Sequence, residues 1–91
     1  MKLVRCATQR PNYISFLGGF HGRTMGALSL TASKATQRRR FAPLLPSVYH
    51  IPFPTQSRGV SSSETLLRLE DLWATVAPAE SVAAVFVEPI Q

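Results

Sequence analysis

The sequence predicts an α/β fold in which helices flank a mostly parallel sheet. Segments typical of helices alternate with segments typical of strands along all 91 residues. The last apolar run, Val82–Val87, shows no alternation of polar residues, which is typical of a strand buried on both faces of a parallel sheet. Helix-length segments separate the strands, as right-handed βαβ crossovers require. A chain of this length holds at most one small domain.

The first half of the chain predicts helix, strand and helix. Residues 1–9 are typical of the end of a helix that stops before Pro11, because a residue preceding proline is pushed out of the α region. Residues 13–17 are aromatic and β-branched, which predicts a strand, and Gly18-Gly19 ends it. Apolar side chains on helical spacing predict a second helix over 24–33.

The second half predicts strand, helix and strand. Arg38–Arg40, with prolines after them, predict a solvated connection, and residues 47–51 predict a short strand. Ser61 and Glu64 have the spacing of a capping box at the start of a helix. Glu64 is also four residues before Arg68, the favourable order for an ion pair. We expect one stripe of this helix to lie in the core: Leu66, Leu69, Leu72, Trp73 and Val76.

Composition excludes several classes of protein. The apolar share of 45% and the charged share of 16% argue against intrinsic disorder. The longest apolar run has six residues, whereas a membrane-spanning helix needs about 20. Cys6 is the only cysteine, so neither an internal disulfide framework nor a CxxC metal site is expected. We therefore expect a reducing compartment, the cytoplasm; the arginine-bearing, acid-free amino terminus leaves the mitochondrial matrix as the alternative.

The net charge of +5 is unevenly distributed. Residues 1–63 carry nine lysines and arginines and no acid, whereas residues 64–91 carry one arginine and five acids. One alternative is a small basic nucleic-acid-binding protein, with Arg38–Arg40 on phosphates and Tyr49, Phe53 or Phe41 stacked on bases. The basic residues are scattered over several predicted elements, however, and the aromatic spacing fits no known module. We expect neither a nucleic acid nor a membrane as the partner.

Two segments are placed to bind a ligand. Ligands of open parallel sheets collect beyond the carboxyl ends of the strands, where Gly18–Thr24 and Glu88–Gln91 are predicted to lie. Phe20 offers a flat face for stacking, and Arg23 can grip a carboxylate or phosphate with two parallel bonds. The glycine spacing matches neither a dinucleotide fingerprint nor a Walker loop. His21 has no second histidine or cysteine at ligand spacing, so no metal site is expected.

Three blocks in order resemble one known family. Phe16–Thr31, Arg40–Pro46 and Val87–Gln91 look like the class III aminotransferases that use pyridoxal 5'-phosphate, and are most similar to the 4-aminobutyrate and acetylornithine members. The resemblance covers nearly the whole chain and is weakest over 55–63. It implies that residues 1–91 are part of the three-layer, mostly parallel large domain of fold-type I transferases, and not a complete domain.

The resemblance also implies a function and site residues. An amino group would move from an ω-amino acid such as 4-aminobutyrate to a 2-oxo acid, with pyridoxal phosphate as the electron sink. Phe20 matches the position that stacks on the cofactor ring, His21 follows it in the same turn, and Glu88 matches the first glutamate of the EPxQGEGG segment beside the cofactor. Arg23 matches the position that binds the substrate carboxylate far from the reacting amine. Intact relatives are expected to be homodimers.

Four parts of the family's site have no counterpart in these residues. They are the phosphate-binding Gly/Ser turn, the second glutamate of the EPxQGEGG segment, the aspartate that pairs with the pyridine nitrogen, and the Schiff-base lysine. The only lysines are Lys2 and Lys34, and Lys34 has the sequence context of a solvated surface residue. We therefore expect no catalytic residue here and no transamination by the chain alone; a non-catalytic remnant is the other alternative.

Overall fold

A computed structural model describes all residues from Met1 to Gln91 and shows helices and strands in alternation. Short 3-10 turns at Gln56–Arg58 and Ala79–Ser81 precede α4 and β3. No helix of the chain has the length and apolar character needed to cross a membrane. In chain order the elements are α1 Lys2–Thr8, β1 Asn12–Phe16, α2 Met25–Leu30, α3 Ala35–Arg38, β2 Val48–Ile51, α4 Ser62–Thr75 and β3 Val82–Val85.

The three strands form one parallel sheet in the order β2-β1-β3, which confirms the predicted α/β fold. Strand β1 pairs with β2 from Tyr13 opposite Val48 to Phe16 opposite Ile51, and with β3 on its other side. The chain moves from β1 to β2 and then back across β1 to β3. Right-handed crossovers in these two opposite directions place α2 and α4 on opposite faces of the sheet.

The core lies around β1, whose inward residues are fully buried. On one face the Tyr13 hydroxyl donates to the carbonyl of Met1 at 2.9 Å, and the Ser15 hydroxyl donates to the carbonyl of Leu30 at 2.8 Å. These bonds fasten α1 and the end of α2 to the sheet. The buried apolar residues are Tyr13, Ile14, Leu28, Leu30, Ile51 and Ala77.

The arginine triplet differs from its prediction. Arg38 ends the short helix α3, and its guanidinium donates to the carbonyls of Thr31 at 2.6 Å and Leu28 at 3.5 Å. A cation is favoured there because the last carbonyls of a helix carry partial negative charge. Only Arg39 and Arg40 are exposed as a solvated turn would have them.

Two predicted core segments are less buried than expected. The sequence predicts that the last strand is buried on both faces, but Val85 and Val87 are each 50% exposed, because they lie on the face opposite Phe86, which packs toward Tyr13 and α1. In α4 the inward line passes through Thr65, Leu69 and Leu72, since Thr65 is buried and its hydroxyl donates to the carbonyl of Pro52 at 3.0 Å. The helix is thereby rotated, and three members of the predicted stripe face outward: Leu66, Trp73 and Val76.

The amino end of α4 has one of the two bonds of the predicted capping box, without the return bond from the Ser61 amide to the Glu64 side chain, and it has a different ion pair. The backbone amide of Glu64 donates to the Ser61 hydroxyl at 3.1 Å, as an N-cap requires. Arg68 pairs with Asp71 at 3.6 Å instead of with Glu64, so the predicted i,i+4 pair is wrong. Both partners of the observed pair are exposed, and it contributes little to the free energy of unfolding.

Candidate functional site

Three segments meet at the carboxyl edge of the sheet. Gly18 and Gly19 follow β1, Thr55–Arg58 follow β2, and Glu88–Gln91 follow β3. Parallel strands end at the same edge, so these segments share one surface and together line a pocket of about 360 Å³. The two segments that the sequence predicts to bind a ligand, Gly18–Thr24 and Glu88–Gln91, therefore lie together. The segment after β2, where the resemblance to the family is weakest, lies beside them.

The carboxylate of Glu88 connects the segment after β3 to the turn after β1 by hydrogen bonds. Its Oε2 accepts from the backbone amide of Phe20 at 2.9 Å and from the side-chain amide of Gln91 at 3.1 Å. The same Gln91 nitrogen donates to the carbonyl of Gly18 at 3.0 Å. Glu88 thus sets the position of the Phe20 backbone, and Gln91, which was not among the predicted site residues, completes the connection.

Phe20 is at the surface of this edge. The residue is 37% exposed, and its ring pairs with no other aromatic ring. The rings of Phe16 and Phe53, which line the pocket, pack edge to face with their centroids 5.6 Å apart. Phe20 is therefore not a core residue, and part of its ring is free to contact a ligand.

The imidazole of His21 is directed toward the sheet and away from this pocket. Its Nε2 lies 3.3 Å from the Ser15 hydroxyl, and its ring meets Phe86 edge to face at 6.2 Å. It lines a second cavity, of about 550 Å³, between α1 and α2. The backbone of His21 remains in the Gly18–Thr24 turn, but its ring does not face the same space as Glu88.

Arg23 stands free at the start of α2. It precedes the N-cap Thr24, is exposed, and makes neither a hydrogen bond nor an ion pair. No acid of the chain pairs with it. Its five donors are open to solvent, and Arg23 does not line the pocket at the carboxyl edge.

Buried hydroxyls that the sequence reasoning missed hold this turn in place. Thr31 is fully buried; its hydroxyl oxygen accepts from the His21 amide at 2.9 Å and lies 3.0 Å from the carbonyls of Gly22 and Ala27. Ser15 anchors the His21 ring from the sheet. Each is a hydroxyl residue flanked by apolar neighbours, Ile14 and Phe16 for Ser15 and Leu30 and Ala32 for Thr31, which is the signal that could have identified them.

His50 lies on β2 and has a lowered pKa. Burial lowers the pKa of His50, and the hydrogen bond that its Nε2 gives to the carbonyl of Leu30 at 3.1 Å opposes this effect. The positive charges of Arg38 and His21 lower the pKa further. No three histidine, cysteine or acidic side chains are grouped so that they could hold a metal ion.

Comparison with known proteins decides the family. The family model described as aminotransferase class-III matches residues 1–91, the entire chain. The chain belongs to the class III aminotransferases.

Individual class III relatives differ in what they act on. The chain is 37% identical to the 2-aminoadipate transaminase of Pseudomonas putida and 33% identical to the 4-aminobutyrate aminotransferase of Escherichia coli, with all of this chain aligned in both. It spans 22% and 21% of those two proteins. The structure of an amine transaminase from an uncultivated Pseudomonas species, solved in its pyridoxal-phosphate-bound form, superposes with a TM-score of 0.83 at 21% identity. That match covers 99% of this chain and 23% of the other, and it confirms the fold.

Neither lysine lies at the carboxyl edge. Lys2 begins α1, and Lys34 is the exposed residue before α3.

Proposed function

We propose that this chain forms one wall of a class III aminotransferase site. In this proposal the wall packs against the ring of pyridoxal phosphate and binds the distal carboxylate of an ω-amino acid such as 4-aminobutyrate, whose amino group passes to a 2-oxo acid. One arrangement carries the proposal: Glu88 holds the amide of Phe20 at the carboxyl edge, with the unpaired Arg23 three residues later. The intact protein is proposed to be a cytoplasmic homodimer in which residues 1–91 are part of the large domain.

The residues present fit one face of the cofactor. The partly exposed ring of Phe20 provides a flat apolar surface at the edge where ligands of parallel sheets bind. Glu88 fixes that surface through the Phe20 backbone, and the turn that continues into His21 is held by Thr31. Pyridoxal phosphate, when bound, supplies an electron sink for the carbon that loses its proton. The work of this chain is to position the ring and to exclude water from one side of it.

Arg23 supplies the recognition of substrate. A guanidinium binds a carboxylate with two parallel hydrogen bonds, and no protein acid competes for that of Arg23. Both 4-aminobutyrate and 2-aminoadipate, named in the descriptions of two relatives, carry a carboxylate separated from the amine by several carbons. A fixed distance between Arg23 and the cofactor would select substrates by this separation.

Binding of pyridoxine 5'-phosphate tests the proposal, since this analogue cannot form a bond with lysine. Titration of the chain, followed by amide NMR, should shift the signals of Gly19, Phe20 and His21. Phe20→Ala should weaken binding about tenfold, consistent with about 1.4 kcal/mol for loss of an aromatic contact. Phe41→Ala, which removes a phenylalanine that is 55% exposed outside the site, serves as the control.

Three results would contradict parts of this proposal. Equal binding by Phe20→Ala and the unchanged chain would remove Phe20 from the cofactor surface. Transamination by the chain with pyridoxal phosphate would show that the expected inactivity of the chain alone is wrong. A steep loss of oligonucleotide affinity with added salt, with no response to the cofactor analogue, would favour the nucleic-acid alternative.

A further inference from the structure

The guanidinium of Arg58 projects over the turn after β1 without a protein partner. Its two terminal nitrogens lie 3.7 and 4.0 Å from the point where a side chain on Gly18 would begin. Gly18 has a φ of +89° and no side chain, so the space beneath the guanidinium remains open. The side chain of Arg58 makes no hydrogen bond and no ion pair, although Arg58 lines the 360 Å³ pocket that also contains Glu88.

The loop that carries Arg58 is closed by main-chain bonds. The amide of Thr55 donates to the carbonyl of Val60 at 3.0 Å, and the amide of Val60 donates back at 3.1 Å. Between them the 3-10 turn ends at Gly59, whose φ of +66° is readily adopted by glycine. The hydroxyls of Thr55 and Ser57 lie 3.0 Å apart in the same loop. These bonds fix the backbone from which the Arg58 side chain extends.

We propose that Arg58 and Glu88 form a binding subsite for a zwitterionic amino acid, with the ligand carboxylate on Arg58 and its ammonium group near Glu88. The subsite rests on the proposed function, since it names a second place where the amino-acid substrate is held. It is separate from Arg23, which does not line this pocket. A pocket of 360 Å³ lies within the range that small ligands occupy.

Charge identifies the ligand class. The pocket holds one guanidinium and one carboxylate that are not paired with each other, so its formal charge is zero. Glu88 uses Oε2 for its two hydrogen bonds, which leaves Oε1 as an acceptor for an ammonium group. A phosphate dianion would gain from Arg58 but would be repelled by Glu88, whereas a zwitterion is attracted by both.

Three ligands with the same four-carbon chain distinguish the contribution of the ligand carboxylate from that of the ligand ammonium group. The 91-residue chain is titrated with 4-aminobutyrate, butyrate and butylamine while the amide signals of Gly18, Gly19, Ser57 and Gly59 are followed. We expect 4-aminobutyrate to bind most tightly. Arg58→Gln should weaken binding of 4-aminobutyrate and butyrate at least fivefold, and Glu88→Gln should weaken binding of 4-aminobutyrate but not of butyrate.

Controls keep the outcome specific. Arg39→Gln removes an exposed arginine outside the pocket and should leave all three titrations unchanged. The subsite would be overturned if Arg58→Gln left the binding of 4-aminobutyrate unchanged. It would also be overturned if inorganic phosphate, but not the carboxylate ligands, produced saturable shifts of these amide signals. Arg23→Gln distinguishes the two proposals: if it abolishes 4-aminobutyrate binding while Arg58→Gln does not, the proposed function stands and the subsite fails.

Discussion

The Ser15 hydroxyl lies 3.3 Å from Nε2 of His21 and donates its only hydrogen to the carbonyl of Leu30 at 2.8 Å. Because that hydrogen is already used, the bond to His21 requires the imidazole to donate through Nε2. The tautomer of His21 is therefore set by a buried residue of the sheet and not by the surface of the candidate site.

Replacing Ser15 by alanine tests this anchoring. Ser15→Ala removes two hydrogen bonds, of which the one to Leu30 is buried, and we expect the free energy of unfolding to fall by about 1–3 kcal/mol in urea denaturation. The His21 ring signals in NMR should broaden or shift in the same variant. Ser33→Ala, which removes a hydroxyl with no hydrogen bond, should change neither property. Unaltered His21 signals in Ser15→Ala would show that the hydroxyl does not orient the ring.

Gly22 occupies a position that a side chain cannot share. Its φ is +127°, and a Cβ placed there would lie 2.9 Å from the Cβ of Ala27. We expect Gly22→Ala to lower the free energy of unfolding by about 1–3 kcal/mol, through backbone strain and this clash. Gly26→Ala provides the comparison, since its nearest contacts are 3.7 and 3.9 Å and helical alanine is favoured by about 0.5–1 kcal/mol. The two variants should therefore move the urea midpoint in opposite directions.

The lowered pKa of His50 predicts that acid destabilises the fold. The unfolded histidine titrates near 6.5, whereas burial and the nearby charges of Arg38 and His21 keep the pKa of the folded residue lower. Between the two values the unfolded chain binds more protons, so the free energy of unfolding decreases as pH falls through 6.5 and levels off below the folded pKa. His50→Gln keeps a donor for the Leu30 carbonyl and removes the titration. The loss of stability between pH 7.5 and 5.0 should be smaller in this variant than in the unchanged chain; an equal loss would assign it to other groups.

The connection through Glu88 predicts local protection of one amide. The Phe20 amide donates to Glu88 Oε2, so Glu88→Ala should speed its hydrogen exchange, about fivefold or more if the bond contributes about 1 kcal/mol. Amides of β1 such as that of Ile14 should be affected much less. Glu80→Ala replaces an exposed glutamate elsewhere and should leave the Phe20 amide unchanged. Equal exchange in both variants would show that the carboxylate does not hold this turn.

Local sequence patterns predicted those strands, caps and turns that depend on residues close together in the chain. The parallel strands, the Ser61 cap and the glycine turn after β1 follow from periodicity, capping chemistry and backbone freedom, and all are present. The burial of α4 could not be obtained in this way, because two apolar lines compete on that helix. The hydrogen bond from Thr65 to Pro52 places the line through Leu69 and Leu72 against the core. Local sequence rules cannot compare the stabilisation from that tertiary bond with the stabilisation that burial of Trp73 would give.

The site was predictable in part for the same reason. Phe20 and Glu88 are 68 residues apart, and their meeting follows from the common edge of parallel strands. The resemblance placed both residues near a cofactor, a role that remains a prediction. Arg58 was not identified, because its segment resembles the family least and its position depends on the Thr55–Val60 bridge. The inward direction of the His21 ring depends on Ser15, a contact that spacing does not reveal.

The two ends of α2 are held unequally. Its carboxyl end is bonded to three separate elements through Ser15, His50 and Arg38, whereas Thr24 at its amino end makes no side-chain cap. Thermal fraying of this helix should therefore start at residues 23–25 and stop before Leu28, which is buried. Arg23 thus lies at the end of α2 that we expect to fray first, while the other end of the helix stays fixed to the sheet.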